Sequence, residues 1–200
     1  MKTKFFKTEG FRCVIVLFVI TVVMCGLLAI LNDVLFVSDA ERLNRAVAKV
    51  YGKEVQAETL QGFGEGETGF SCEAGTIEKA YCFTDDGVYY ELFGSTGKNG
   101  YKDGTVTLWV LVKYENDKPA SLENVAVDSY EKQTLMSSFN SSFFNKYTSL
   151  TTEELESGKL FSTAASDTSV QNVVSGATMS SNAMNNAVNT VLLYLWGEAV

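Results

Sequence analysis

From Val173 to Val188 the sequence reads V-V-S-G-A-T-M-S-S-N-A-M-N-N-A-V, the pattern of a loop that turns into a helix. Ser175 and Gly176 supply the turn, and Ser180 or Ser181 offers a side-chain oxygen to cap the first free N–H groups. Beyond it, Met179, Ala183, Ala187, Val191 and Leu195 recur every four residues, with Met184, Val188 and Leu192 alongside. Together they form one wide apolar stripe. Asn182, Asn185, Asn186 and Asn189 take the opposite face. The spacing predicts a helix from about residue 180 to 196.

Thr178 stands beside Gly176 and Ala177, two residues with almost no side chain. A bulky group can therefore approach its hydroxyl. Free N–H groups and the positive end of a helix dipole lie just beyond, where a phosphate is favoured. Taken alone, S-G-A-T could equally be a polar helix start. The longer run Ser175–Asn189, S-G-A-T-M-S-S-N-A-M-N-N-A-V-N, resembles the flavinylation segment of the FMN-binding domain family. Members of that family include the G subunit of the Rnf electron-transport complex and the C subunit of the sodium-translocating NADH:quinone reductase. The resemblance implies FMN carried covalently on Thr178 through a phosphoester bond, installed by a dedicated flavin transferase. It implies Ser175, Gly176, Ala177, Ser180 and Ser181 as the surroundings of that bond.

Composition narrows the chemistry. The chain has 200 residues and no histidine, which removes the usual general base and any His-ligated metal or haem. Its four cysteines form no C-x-x-C pair, so no zinc or iron–sulfur site is expected. Cys13 and Cys25 fall in an apolar run and read as small hydrophobes. Cys72 and Cys82 flank a strand, and spacing leaves open whether they pair. A net charge of −8 argues against nucleic acid as a partner.

Lys2, Lys4, Lys7 and Arg12 precede the uncharged run Cys13–Leu31, whose length suits a membrane-spanning helix. A cleaved signal peptide usually has a shorter apolar core, and no convincing small-residue cleavage site follows, which favours an uncleaved anchor over cleavage. The expectation is a single-pass anchor in the cell membrane, with residues 1–12 cytoplasmic, 13–31 spanning and the remainder extracytoplasmic. Ser38 or Asp39 can cap a helix through Tyr51, giving a stalk over residues 32–52. Residues 53–200 then form the extracytoplasmic domain.

Between Lys53 and Gly75 the chain is glycine-rich and acidic. Gly64, Gly66 and Gly69 spell G-x-G-x-x-G, but no apolar strand precedes them and Glu65 and Glu67 would repel a pyrophosphate. The stretch reads as a loop. Strands are expected at Thr76–Phe83 and Val88–Phe93, joined by a hairpin turn over Thr84-Asp85-Asp86-Gly87. Further strands are expected at Thr105–Tyr114 and Ala120–Val127, joined through Asn116-Asp117-Lys118-Pro119. Val106, Leu108, Val110 and Val112 share one face of the third, whose other face is also partly apolar, so it belongs inside the sheet. A short amphipathic helix over Met136–Tyr147, a helical turn or loop over Thr151–Gly158 and a short strand over Val170–Val174 complete the pattern. The fold class is α+β: a single N-terminal transmembrane helix, then an antiparallel sheet with packed helices.

This order of elements is similar to the family's. Gly97–Gly104 resembles the glycine- and tyrosine-containing segment before its central strand, which implies Gly100 and Tyr101 near the flavin. As residues in their own right, Gly100 and Gly104 read equally well as turn glycines and Tyr101 as a half-buried aromatic. Glu131-Lys132-Gln133-Thr134-Leu135-Met136 stands where the family carries an E-T-P-G-like stretch, without its proline and glycine, and implies Thr134 and Leu135 as contacts. The function so implied is electron transfer outside the membrane, with other subunits of an Rnf-like, ion-translocating membrane redox complex as partners. Two alternatives stay open: extracellular electron transfer or an outward-facing reductase without an ion pump, and a non-redox anchored adaptor that has lost its flavin.

Overall fold

The structure is a computed structural model that describes residues 9–35, 39–163, 174 and 176–197. The chain divides into two compact units, Met1–Arg42 and Leu43–Val200.

The first unit is dominated by helix α1, Glu9–Leu35. Within it Phe11–Asn32 is long and apolar enough to cross a membrane. These 22 residues rise about 33 Å, against roughly 30 Å of bilayer hydrocarbon. Val14, Leu17, Phe18, Leu28 and Ile30 point outward on all sides and none is covered by protein. A helix that is apolar all round has no polar face to give to water.

The second unit is built on an antiparallel sheet. Its strands are β1 (Glu58–Thr59), β2 (Phe70–Ser71), β3 (Gly75–Asp85), β4 (Val88–Gly97), β5 (Val106–Glu115) and β6 (Lys118–Tyr130). The order is β1-β3-β4-β5-β6, with β2 pairing the other end of β3. Two-residue turns close both hairpins: Asp86-Gly87 has φ of 50° and 78°, and Asn116-Asp117 has φ of 53° and 60°. Positive φ at both central positions gives the turn a twist that matches the strands it joins. The loop between Lys53 and Gly75 holds only the short strands β1 and β2 among its turns.

Side-chain alternation sends each strand's residues to two cores. Val106, Leu108, Val110 and Val112 of β5 are buried on one face with Phe93 and Ile77. Trp109 and Leu111 of the same strand are buried on the other, with Leu92 and Phe83. As expected of an interior strand, β5 is apolar on both sides. Helix α5 (Thr178–Trp196) covers the first face and helix α2 (Asp39–Tyr51) the second.

From Leu43 onward, the helix expected as a stalk lies against this sheet. Val47 and Val50 are buried with Trp109 and Leu111. Lys49 Nζ donates to the Val127 carbonyl at 2.9 Å, and Asn124 Nδ2 to the Val50 carbonyl at 2.6 Å. Burying a side chain of this size contributes about 1.5–3 kcal/mol.

The helix expected over Met136–Tyr147 is broken in two. A 3₁₀ turn, Met136–Ser138, precedes helix α3, Ser141–Thr148, because Asn140 caps the latter by accepting from the Phe143 N–H at 3.2 Å. Thr151–Gly158 contains helix α4, Thr152–Glu156, with a reciprocal capping box between Thr151 and Glu154. Of the strand expected over Val170–Val174, residues 170–173 lie outside the described residues.

Cys72 and Cys82 are both free thiols. The Cys72 N–H bonds the Gly75 carbonyl, whereas Cys82 pairs with Glu58 seven residues further along β3. At roughly 3.3 Å per residue the two are separated by about 20 Å, well beyond disulfide reach.

Candidate functional site

Helix α5 has no charged residue between Thr178 and Trp196, and Ser180 through Leu192 are all buried. The asparagines placed opposite its apolar stripe therefore do not meet water; they serve as internal fasteners. Asn185 Oδ1 accepts from Lys146 Nζ at 2.7 Å and Tyr147 OH at 2.8 Å, while its Nδ2 donates to the Ser162 carbonyl. Asn189 exchanges two hydrogen bonds with the backbone of Phe161. Asn186 Nδ2 donates to the Lys98 carbonyl at 2.9 Å. Ser95 on β4 reaches the Ala187 carbonyl at 2.7 Å.

Gly97 lets helix and sheet touch backbone to backbone. A Cβ there would stand 2.0 Å from the Ala183 carbonyl oxygen and 2.4 Å from the Ala187 nitrogen. Together these contacts fix the height and rotation of α5 on the sheet, and with them the place where its N-terminus comes out.

That N-terminus differs from its sequence reading. The helix begins at Thr178, and neither Ser180 nor Ser181 caps it: the N-cap is Ala177, with no side-chain hydrogen bond. Gly176, at φ 79°, reverses the chain so that the Ala177 N–H bonds the Val174 carbonyl at 2.8 Å, and the helix starts earlier than the serines. Both serines are inside the first turn and committed elsewhere. Ser181 Oγ donates to the Ala177 carbonyl and accepts from the Val174 N–H, both at 3.0 Å. Ser180 Oγ donates to Gln133 Oε1 at 2.7 Å. Ser175 lies outside the described residues.

Gln133 is the residue that ties the site together, and sequence reasoning did not single it out. Besides the Ser180 hydroxyl, its Oε1 accepts from the Tyr101 N–H at 3.1 Å. Its Nε2 donates to the Glu131 carbonyl at 2.8 Å. Gly100 and Gly104 close the same loop through a 2.9 Å bond from the Gly100 N–H to the Gly104 carbonyl. The Gly100–Tyr101 turn, the Glu131–Leu135 stretch and the first turn of α5 are thus joined through one buried side chain.

Tyr101 itself is exposed, not half-buried as its sequence context allowed, because the turn holds its backbone and leaves the ring outside. Thr134 is exposed as well. Leu135 is exposed and lies next to Gly176, where an added Cβ would approach its Cδ1 only to 4.0 Å.

Thr178 is half-buried, and its hydroxyl makes no hydrogen bond among the described residues. The helix turn behind it offers N–H groups that no side chain caps. One turn further, Asn182 is 3 % exposed and its Oδ1 has no hydrogen-bond partner, alone among the buried side-chain oxygens and nitrogens of the described residues. A buried acceptor left unmade costs about 1–3 kcal/mol. An open Gly176 flank, an uncapped helix start and an orphaned acceptor fit a phosphorylated, hydroxyl-bearing group attached at Thr178. Nothing in the sequence distinguished Asn182 from the other three asparagines.

No group of three or more metal-ligating side chains occurs among the described residues. Residues 100–193 match the family model of the FMN-binding domain. The match supports a flavin-binding, electron-transfer role. It begins at the Gly100–Tyr101 turn and takes in Gln133, Thr178 and most of α5. No curated protein and no solved structure matches the chain.

Proposed function

We propose that this protein is a membrane-anchored electron carrier with FMN esterified to Thr178 Oγ1. The observation that carries the reading is the position of Thr178: first residue of α5, half-exposed, its hydroxyl uncommitted among the described residues, with Gly176 open beside it. FMN supplies transfer of one or two electrons when bound. Thr178 serves as tether, and the uncapped N–H groups of the first turn offset the phosphodiester's negative charge. Gln133 holds the Tyr101 turn and α5 in register around the attachment point.

Attachment needs a flavin donor whose phosphate is activated as an anhydride. The Thr178 Oγ1–P bond forms as the anhydride bond to the leaving phosphate breaks, and a base on the flavin transferase takes the hydroxyl proton. Tethering suits a carrier on the outer side of a membrane, where a lost cofactor is not replaced. The basic residues ahead of Phe11 favour that orientation. A single span forms no ion path of its own, so coupling to ion transport would come from partner subunits of an Rnf-like complex.

Intact-mass analysis of the chain co-expressed with a flavin transferase, beside Thr178→Ala, tests the proposal. The expected result is an FMN adduct that survives denaturation in the wild type and is missing in the variant. Unmodified wild-type chain, with the transferase active on a control substrate, would overturn it.

A further inference from the structure

We infer that Asn182 Oδ1 accepts a hydrogen bond from a ribityl hydroxyl of the flavin carried on Thr178. The inference rests on the function proposed above and adds to it a residue that reads the cofactor's sugar-alcohol chain. Thr178, Asn182 and Asn186 lie four residues apart, on one side of α5. Asn186 is committed to the Lys98 carbonyl. Ser180 is committed to Gln133, and Ser181 to Ala177 and Val174. Among the described residues Asn182 Oδ1 remains buried and unpaired, about 6 Å along the helix axis from Thr178.

The chemistry of that atom selects its partner. A carbonyl oxygen of an amide only accepts, so the missing partner is a donor. Esterification removes the Thr178 hydroxyl, the one donor on this row that could turn toward it. A phosphodiester is ionised and has no proton to give. The isoalloxazine N3–H lies at the far end of the ring system. The ribityl hydroxyls come directly after the phosphate, and they donate.

The test uses the full-length chain labelled with ¹³C,¹⁵N-asparagine, made with and without the transferase. The Asn182 side-chain signal is assigned by its loss in Asn182→Leu. The expected result is a downfield shift of Asn182 ¹³Cγ on flavinylation. An unmoved signal in flavinylated wild type overturns the inference and leaves the acceptor to a buried water.

Thermal unfolding gives a second readout. Without flavin, Asn182→Leu should be at least as stable as wild type, having lost an unmade acceptor. On flavinylation the variant should gain less, with a Tm increase smaller than that of wild type by about 2–4 °C. Equal gains overturn the inference. A wild-type chain that takes no flavin fails at the mass measurement, so failure of the functional proposal, which would take this inference with it, is told apart from failure of the inference alone.

Discussion

The two faces of the sheet are covered by helices that hold on in different ways. On one, α2 lays Val47 and Val50 against Leu92, Trp109 and Leu111, an apolar contact trimmed by hydrogen bonds at its rim. On the other, α5 comes so close that Gly97 meets its backbone, and Ser95, Asn185, Asn186 and Asn189 make directional bonds around it. Apolar packing sets how strongly a helix is held. It sets rotation and translation poorly, because a slightly shifted helix buries nearly the same area. Hydrogen bonds and backbone contact penalise small shifts steeply. The face that carries Thr178 is the one built for position.

The largest effect expected from breaking that difference is Gly97→Val. The new side chain would have to occupy the space of the Ala183 carbonyl and the Ala187 nitrogen. Backbone cannot yield as a side-chain tip can, so α5 must lift, at a cost of about 3 kcal/mol or more. Denaturant unfolding should show this, together with a weaker form of the flavin attachment proposed for Thr178. A loss below about 1 kcal/mol, the ordinary size of a point-mutation effect, would mean that the helix–sheet contact is looser than described.

Asn185→Leu comes next, at about 2–3 kcal/mol. It keeps the branched shape at a somewhat larger volume but takes the acceptor from the fully buried Tyr147 hydroxyl and from Lys146, and the donor from the Ser162 carbonyl. If leucine were tolerated without loss, the asparagines would be space-fillers and the contrast between the faces would fail. Val47→Ala probes the other face. It removes apolar contact worth about 2 kcal/mol, yet it should leave the proposed flavin attachment unchanged, because α2 does not fix the rotation of α5. Equal damage to attachment from both faces would show that stability alone governs the site.

The same contrast explains what was legible in the sequence. Apolar alternation and turn chemistry are local, so β3 to β6 and the places of both hairpin turns could be read directly, although Thr84-Asp85 and Lys118-Pro119 belong to the strands and only Asp86-Gly87 and Asn116-Asp117 turn. The rotation of α5 was legible only as a stripe. Its asparagines looked like a solvated face until the lack of any Lys, Arg, Asp or Glu from Thr178 to Trp196 is weighed, since a helix face in water normally carries such charges. The start of α5 was misplaced because serine is a strong cap by itself, whereas the turn at Gly176 decided the matter by a backbone bond to Val174. Gln133 was invisible because its partners, Tyr101 and Ser180, are 32 and 47 residues away.

The smallest effect sharpens the comparison through pH. Each face offers a carboxylate whose proton affinity its surroundings have moved, and these two move in opposite directions. Glu91, on the α5 side of β4, is buried, and burial pushes its pKa up, although hydrogen bonds from the Tyr114 and Tyr89 hydroxyls oppose this. Asp85, at the rim beneath α2, is held low by Lys53, whose Nζ lies 2.8 Å away, and by Tyr51.

For Glu91 the folded state keeps a proton that the unfolded chain releases near the ordinary value of about 4.3. Stability is therefore full below that value and falls as pH rises through the raised one. For Asp85 the folded state releases first, so its stabilisation is present above the ordinary aspartate value of about 3.9 and is lost as pH falls through the lowered one. Glu91→Gln should flatten the decline on the neutral side, and Asp85→Asn the decline on the acid side. Midpoints of denaturant unfolding across pH would show a Glu91 difference that grows upward from about pH 4 and an Asp85 difference that shrinks below it. Parallel pH curves for wild type and Glu91→Gln would mean that the Tyr114 and Tyr89 hydroxyls offset burial completely, leaving the α5 face with no unsatisfied charge.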